Sequence, residues 1–199
     1  SFTLQSGSQS PFDGINVTAC SKPTFVDLDA DGDQDLVVGN QPGALAFYVN
    51  AGTPANPSFT LRDGDGNNPF ASISVVGKHS APAFTDLDND GDFDLVLGQE
   101  NGGLLTYYEN TGNSRSPTFT KREGIGVNPF FGITAVSYSN PTFADLDGDN
   151  NTDLFLGSES SPILYVNGDY RWVSTMTGLT RSSVTIPTFT IGTGEANPF

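Results

Sequence analysis

The sequence predicts an all-β fold built from repeated units, and two observations lead to this prediction. First, an acidic phrase occurs three times, with its first aspartate at Asp27, Asp86 and Asp145, so that 86−27 and 145−86 both equal 59 residues. Second, the 199 residues include 23 Gly, 13 Pro and 15 Phe, which favours many short strands and turns over helices. A fixed period of this size is typical of a repeat architecture.

Each acidic phrase is predicted to form a metal-binding loop, with carboxylates at loop positions 1, 3, 5 and 9 and a backbone carbonyl from position 7. Closely spaced carboxylates repel one another unless a cation lies among them, and hard oxygen ligands in a flexible loop suit calcium. The sequence therefore predicts three calcium ions, one per loop. Magnesium is the second choice, and a solvated turn without an ion is the alternative. The predicted ligands are Asp27, Asp29, Asp31, Asp33 and Asp35 in loop 1, Asp86, Asp88, Asp90, Asp92 and Asp94 in loop 2, and Asp145, Asp147, Asp149, Asn151 and Asp153 in loop 3.

Each loop is predicted to join two strands rather than two helices. An EF-hand would need Glu at position 12, but this position is apolar in all three copies. The flanking runs are short, β-rich and bounded by Pro and Gly, as strands are. Position 6 must turn sharply with positive φ, which suits Gly32 and Gly91, and Asn150 is the usual substitute for Gly there.

One repeat can be divided into four strands, which is the content of a propeller blade. In the second copy these are residues 82–87, 94–98, 103–109 and 117–122. The second of them is apolar on both faces, so we expect it to be buried between layers. The fold class predicted is thus a β-propeller-type array of three four-stranded antiparallel blades plus one unmatched strand.

The whole chain is predicted to form this single array. The predicted units are residues 1–22 (unmatched strand and connector), 23–70 (blade 1), 71–130 (blade 2) and 131–199 (blade 3, with an insertion at about 160–186). The insertion contains a hairpin signal at Asn167-Gly168 and the single Trp172, for which we weigh sugar stacking or a partner contact against packing on the blade edge. Three blades are too few to close a propeller of four to eight. We therefore expect completion by another subunit, as a ring or a head-to-tail filament, or by missing sequence.

The repeats resemble FG-GAP/VCBS-type repeats, the blades of integrin-α-like β-propellers. The resemblance rests on the Asp-Leu-Asp-x-Asp-Gly-Asp-x-Asp-Leu-Val-x-Gly core at 27–39 and 86–98, and on Gly-x-Leu-x-x-Tyr-x-Asn at 43–50 and 103–110. It implies a propeller fold and one calcium ion per acidic loop. It does not imply a ligand, because that family includes adhesion receptors, lectins, secreted structural proteins and appendages to enzymes.

Composition limits the partners and the location. The formal net charge of −15 argues against a nucleic-acid partner, and no apolar run is long enough to predict membrane insertion. Cys20 is the only cysteine, which excludes an internal disulfide, and we expect it to be a small buried side chain. Calcium loops this acidic suit the millimolar calcium outside cells, so an extracellular or cell-surface location is predicted. Asn16 begins a glycosylation sequon at a plausible surface site.

The sequence does not predict an enzyme, because His79 is the only histidine and no nucleophile elbow is present. The first functional hypothesis is a secreted, calcium-binding structural or adhesive module that assembles with copies of itself or with neighbouring repeats. The second is a lectin-type propeller that binds glycans between blades through Tyr48, Tyr107 and Tyr108. The third is a non-catalytic appendage of a larger extracellular protein.

Overall fold

The structure, a computed structural model, describes residues 2–63, 66, 68–75, 78–159 and 162–168. The described residues form short strands and two single 3-10 turns, Gly7–Gln9 and Asn101–Gly103. The strands are β1 (Lys22–Val26), β2 (Asp35–Gly39), β3 (Leu45–Asn50), β4 (Phe59–Arg62), β5 (Ala81–Thr85), β6 (Asp94–Gly98), β7 (Leu105–Asn110), β8 (Phe119–Arg122), β9 (Asn140–Ala144), β10 (Asp153–Gly157) and β11 (Leu164–Val166). None of the helices in this part of the chain has the length and apolar character needed to span a bilayer.

The strands form three separate antiparallel sheets in sequence order, β1 to β4, β5 to β8 and β9 to β11. The predicted all-β array of propeller-type blades is confirmed, and among the described residues the three sheets do not close into a ring. The prediction of an unmatched strand near the start of the chain is wrong, because residues 2–6 pair with no described sheet and form no strand. β11 lies at the start of the predicted insertion, so that part of the insertion contains a regular third strand. The remaining insertion, the return strand of the Asn167-Gly168 hairpin and Trp172 lie outside the described residues.

The second strand of each blade is the most buried element, as predicted from its unbroken apolar run. All five residues of β2 and of β6 are buried. Two apolar clusters fill the spaces between successive blades, one between blades 1 and 2 and one between blades 2 and 3. Side chains packed between the sheets therefore hold successive blades together. Backbone hydrogen bonds also cross each interface, from the Ser80 N–H to the Asn40 carbonyl at 3.1 Å and from the Ser139 N–H to the Gln99 carbonyl at 3.0 Å.

An aromatic ring from each connector is wedged between the blades. Phe70 is 1% exposed and stacks on Phe119 at 5.2 Å between ring centroids, while its edge meets Phe47 of the preceding blade at 5.5 Å. Phe130 occupies the same position one repeat later, against Tyr107 and Phe143. The recurring Asn-Pro-Phe phrase thus supplies the central ring of each blade interface.

Glycines allow the blades to approach closely at the end of each second strand. A Cβ atom on Gly39 would overlap the carbonyl oxygen of Ser80 in the next blade, and one on Gly98 would overlap that of Ser139. The Ser80 hydroxyl accepts a hydrogen bond from the Asn40 N–H at 2.9 Å. Each interface therefore combines apolar packing with a specific backbone contact.

Three equivalent residues before the first strands have left-handed backbone conformations, namely Cys20 (φ 62°), His79 (φ 55°) and Tyr138 (φ 52°). Cys20 is exposed, so the prediction that it is buried is wrong: no described blade precedes this turn, whereas the equivalent His79 is hydrogen-bonded to Gln41 of the preceding blade. His79 is buried and its Nδ1 lies 2.7 Å from Glu100 Oε2, while the Tyr138 hydroxyl donates to Glu100 Oε1 at 2.8 Å. These hydrogen bonds, that of Tyr138 first, lower the pKa of Glu100.

Candidate metal sites

Each acidic loop gathers three carboxylates in the turn between the first and second strands of its blade. Ligand oxygens from positions 1, 3 and 5 all lie within 4.8 Å of one another in every loop. The triads are Asp27, Asp29 and Asp31 in loop 1, Asp86, Asp88 and Asp90 in loop 2, and Asp145, Asp147 and Asp149 in loop 3. The predicted ligands at these three positions are therefore brought together.

The loop conformation is held by backbone N–H groups that bond to the same carboxylates. In loop 1 the Gly32 N–H donates to Asp27 Oδ2 at 3.1 Å, and the Asp33 N–H donates to Asp31 Oδ1 at 3.0 Å. The predicted positive φ at position 6 is confirmed at 96° for Gly32, 94° for Gly91 and 67° for Asn150. This turn aims the carboxylates toward a common centre.

Position 4 also has a left-handed backbone, which the sequence reasoning missed. The φ angles are 52° at Ala30, 60° at Asn89 and 78° at Gly148. Asn89 and Gly148 are residue types that favour positive φ, so they could have predicted this conformation. Ala30 in the first copy does not favour it, and the three copies therefore show no common residue type. An alanine in this region is strained because its Cβ approaches the following carbonyl oxygen.

The carboxylate at position 9 is buried and connects three parts of the blade. Asp94 is 1% exposed; its Oδ1 accepts the Asn110 N–H at 2.7 Å, and its Oδ2 accepts the Leu87 N–H at 3.3 Å and the Tyr107 hydroxyl at 3.0 Å. Burial raises the pKa of Asp94 to about 7 and that of Asp35 to about 6. Position 9 lies outside the triads that the structure brings together, so its service as a metal ligand stays a prediction.

Position 7 carries a buried carboxylate in loops 1 and 2, and the predicted use of its backbone carbonyl as a ligand stays a prediction. Asp33 and Asp92 are only 6% and 7% exposed, and Oδ1 of each is buried without a hydrogen-bond partner in the described structure. Burial, with the charges of the triad, raises the pKa of Asp92 to about 6.

Loop 1 contains two further buried oxygens without a partner, Asp27 Oδ1 and Asp29 Oδ1. Buried polar atoms nearly always have a partner, so several unpartnered carboxylate oxygens in one small loop need an explanation. A cation would satisfy them and cancel their mutual repulsion. The donor set consists of oxygens alone, which fits a hard divalent ion such as calcium or magnesium better than zinc or copper.

Loop 3 satisfies its carboxylates by a different route. All three triad aspartates are exposed. The Asn151 side-chain amide donates to Asp149 Oδ2 at 2.7 Å, and the Asn167 amide donates to Asp147 Oδ2 at 2.7 Å. The hydrogen bonds from Asn151 lower the pKa of Asp149.

Two predictions outside the loops have different outcomes. Tyr48, Tyr107 and Tyr108 are 7%, 4% and 8% exposed, so the prediction that they stack on sugars is wrong. Tyr107 and Tyr108 pack in the two blade interfaces, whereas Tyr48 packs in a separate cluster of blade 1 with Ile15 and Val17 of the first connector. Asn16 is exposed, and its glycosylation stays a prediction.

The fold and the loops together define a class: a repeat protein of propeller-type blades, each with an acidic, metal-compatible loop between its first two strands. A family model described as FG-GAP-like repeat matches residues 27–97 and 86–156, which together run over well more than half of the chain. The chain belongs to the FG-GAP-like repeat family, which confirms the resemblance seen in the sequence. Repeats of this family are typical of extracellular proteins.

Proposed function

We propose that this protein is a calcium-binding structural or adhesive repeat module, located outside the cell or at its surface, that assembles with copies of itself. The observation that carries the proposal is the set of buried, unpartnered carboxylate oxygens in loops 1 and 2. Calcium accepts six to eight oxygen ligands in flexible geometry, whereas magnesium demands a stricter octahedron and retains waters. The ions act structurally, by holding together the turn between the first and second strands.

A non-catalytic role is part of the proposal. The single histidine is buried, and its Nδ1 bonds to Glu100, so this nitrogen is not available to activate a nucleophile. The buried Asp94 carboxylate accepts three hydrogen bonds within its own blade, so it serves as a brace rather than as a proton-transfer group.

Self-association is supported by apolar side chains near the start of the chain. Phe2 and Leu4 are 109% and 91% exposed, yet they repeat the phrase of the fourth strand, in which Phe59 and Leu61 pair with β3. Exposed apolar residues in a segment with the sequence of a strand can associate with the edge of another sheet. We expect another copy to supply one.

Calorimetric titration and thermal melting test the proposed calcium binding. Calcium at millimolar concentration is expected to bind to the loops and to raise Tm. A ligand at a hundredfold excess over Kd stabilises the folded state by about 2.7 kcal/mol per site. Magnesium at the same concentration should bind more weakly. Asp31→Asn is the matched variant for loop 1, since it keeps the side-chain size and removes one charged ligand. An unchanged Tm after exhaustive removal of calcium would contradict the proposal.

A second candidate function is recognition of carboxylate-bearing sugars, and one groove favours it. This groove between blades 1 and 2 has a volume of about 490 Å³, with Arg62 and Arg115 in its lining. In blade 2 the equivalent Arg122 forms a two-pronged ion pair with Glu109 at 2.7 and 2.8 Å. Val49 replaces that glutamate in blade 1, so Arg62 has no such partner among the described residues. Arginine binds carboxylates in this forked geometry.

A glycan array with neutral and uronic-acid sugars tests this second function. Saturable binding of uronic acids only, lost in Arg62→Gln and kept in the surface variant Lys121→Gln, is the expected result. Equal binding of neutral sugars, or no binding at all, would remove the groove from consideration while leaving the calcium proposal intact.

A further inference from the structure

The two internal blade interfaces use equivalent residues, so together they define what a blade needs on each side. The preceding blade contributes the glycine that ends its second strand, and the following blade contributes the Ser and Pro around the start of its first strand. Gly39 meets Ser80 and Pro82 at the first interface, and the same three residue types meet 59 positions later at the second. The repetition shows that these contacts belong to the blade type and not to one particular pair.

The face of blade 3 that points away from blade 2 carries the glycine that ends the second strand, but no described residue of another blade contacts this face. Ile163 is 73% exposed, whereas Leu45 and Leu105, which pair with the corresponding glycines of blades 1 and 2, are 7% and 6% exposed. A Cβ atom on Gly157 would find its nearest neighbour at 3.7 Å, in Asn140 of its own blade. Blade 3 therefore retains a close-approach glycine at a place where nothing described approaches.

Aromatic side chains extend this uncovered face. The rings of Phe155 and Tyr165 contact each other at 5.3 Å between centroids and are only half-buried. Val37 and Val96, which stand at the position of Phe155 in the other blades, are completely buried. The face is thus apolar where the internal interfaces are apolar.

The opposite end of the array has the complementary face. Phe12 stacks on Phe59 at 5.4 Å and contacts Phe25, as Phe70 does with the corresponding pair of blade 2. Phe70 is also covered by Phe47 of the preceding blade and is 1% exposed, but Phe12 is 43% exposed. Phe12 therefore has the two aromatic contacts within its own blade, and no described residue makes the contact that Phe47 makes with Phe70.

The residues that contact the glycine are also present at this end. Ser21 and Pro23 stand 59 positions before Ser80 and Pro82, and Ser21 is exposed. Blade 1 thus presents the surface that blades 2 and 3 bury against their predecessors.

We propose that two copies of this chain dock head to tail, with the outer face of blade 3 in one copy against the outer face of blade 1 in the next. Gly157 receives Ser21 and Pro23 of the second copy, and Ile163 and Phe12 become buried in the new interface. This inference rests on the proposed self-association and specifies its surfaces.

The geometry of such a contact allows two outcomes. A head-to-tail interface closes into a ring if the rotation permits and otherwise continues as a filament. Two copies of three blades would contain six, within the range of four to eight known for propellers. Asn16 fits either assembly, because the equivalent Ser74 and Thr134 remain exposed beside the internal interfaces. Copies with a charge of −15 repel one another, so calcium and salt should strengthen the association.

Sedimentation velocity of the whole protein in millimolar calcium tests the proposal with Gly157→Val. The backbone of Gly157 is not left-handed, and the nearest described atom would lie 3.7 Å from an added Cβ, so this variant should keep the Tm and calcium titration of the wild-type protein. In the assembly, the added side chain would meet the docking backbone, as a side chain on Gly39 would meet Ser80. Ala71→Val, at an exposed connector position away from both end faces, is the matched control.

The expected result is an oligomer for the wild-type protein and for Ala71→Val, and association of Gly157→Val weakened so that its Kd rises by roughly tenfold or more. Ile163→Asp, at an exposed position, repeats the test if Gly157→Val folds poorly. An oligomer that resists both substitutions would overturn the docking mode and leave the self-association part of the proposed function standing. A wild-type protein that stays monomeric at high concentration with calcium bound would overturn both.

Discussion

Loops 1 and 2 share one acidic phrase with loop 3, yet they satisfy their carboxylates differently. In the first two, the carboxylate at position 7 is buried and one of its oxygens has no partner in the described structure. In the third, Asn151 stands at that position, is accessible and bonds to Asp149. The comparison teaches that the residue at position 7 distinguishes an acidic loop with buried, unpartnered carboxylate oxygens from one whose exposed carboxylates accept hydrogen bonds.

The energetic consequence follows from charge and burial together. Unpartnered buried carboxylates destabilise loops 1 and 2 without an ion, so a cation gains more by binding there. Exposed carboxylates that already accept hydrogen bonds offer less. We therefore expect two tighter sites and one weaker site within a single chain.

The largest effect is expected where the buried brace at position 9 is removed. Asp94→Ala leaves the Asn110 and Leu87 N–H groups and the Tyr107 hydroxyl without their acceptor. Leaving these three donors unpaired, two of them in buried hydrogen bonds, should lower the free energy of unfolding by about 3 kcal/mol or more. Chemical denaturation in saturating calcium measures it, and Asp153→Ala is the comparison in loop 3. A loss below about 1 kcal/mol would show that the brace matters little.

The next effect is a dependence on pH that should separate the loops. The folded-state pKa values of Asp94, about 7, and of Asp35 and Asp92, about 6, lie above the ordinary value of 3.8. Protonation of these three carboxyl groups therefore stabilises the calcium-free fold. The contribution is fully present at pH values below the ordinary pKa of 3.8 and is lost as the pH rises through 6 to 7. Calcium binds the ionised form, so its affinity for loops 1 and 2 should rise over the same window.

Melting curves on calcium-free and calcium-saturated protein between about pH 5 and pH 8 check this sign, since both pKa values lie in that window. Tm should fall with rising pH in the first sample and rise in the second. Loop 3 should contribute little to the change, because hydrogen bonds from Asn151 lower the pKa of Asp149. Parallel curves for the two samples would be inconsistent with buried, proton-coupled sites.

A reciprocal exchange at position 7 tests the comparison directly. Asp92→Asn should weaken calcium binding at loop 2, and Asn151→Asp should strengthen it at loop 3, each by roughly tenfold, because ligand charge tunes calcium affinity. Calorimetric titration of both variants and of the double exchange measures the site affinities. If loop 3 remains weak with an aspartate at position 7, exposure of its triad, and not the residue type, is the cause.

The smallest expected effect concerns the strained alanine in loop 1. Ala30→Gly should raise the free energy of unfolding by up to about 1 kcal/mol, because glycine adopts the left-handed conformation without a Cβ clash. Gly148 in loop 3 already has this residue type, so Gly148→Ala is the matched reverse change and should destabilise. Thermal melting of both variants in calcium measures these effects: Tm should rise for Ala30→Gly and fall for Gly148→Ala.

Much of the local structure could be predicted because it depends on residues close in sequence. The strand that follows each loop is an uninterrupted apolar run, and the structure buries it. Gly32 and Asn150 have the positive φ expected of position 6. The sequence reasoning failed where burial depends on remote residues: Tyr48 is predicted to be accessible to a sugar, but it is 7% exposed because Ile15 and Val17, more than 30 residues earlier in the chain, pack in the same cluster.

By itself the sequence determined the 59-residue period, the alternation of short strands and acidic turns, and the grouping of carboxylates at positions 1, 3 and 5, because all of these follow from backbone propensities and short spacings. Only the tertiary structure decided which carboxylates are buried braces, which have unpartnered oxygens and which end faces lack a neighbour among the described residues. The physical reason is distance along the chain. The partner of Asp94 is the Asn110 N–H, 16 residues away, and the partner of Gly39 is Ser80 in the next blade. Burial arises only when such remote segments pack together.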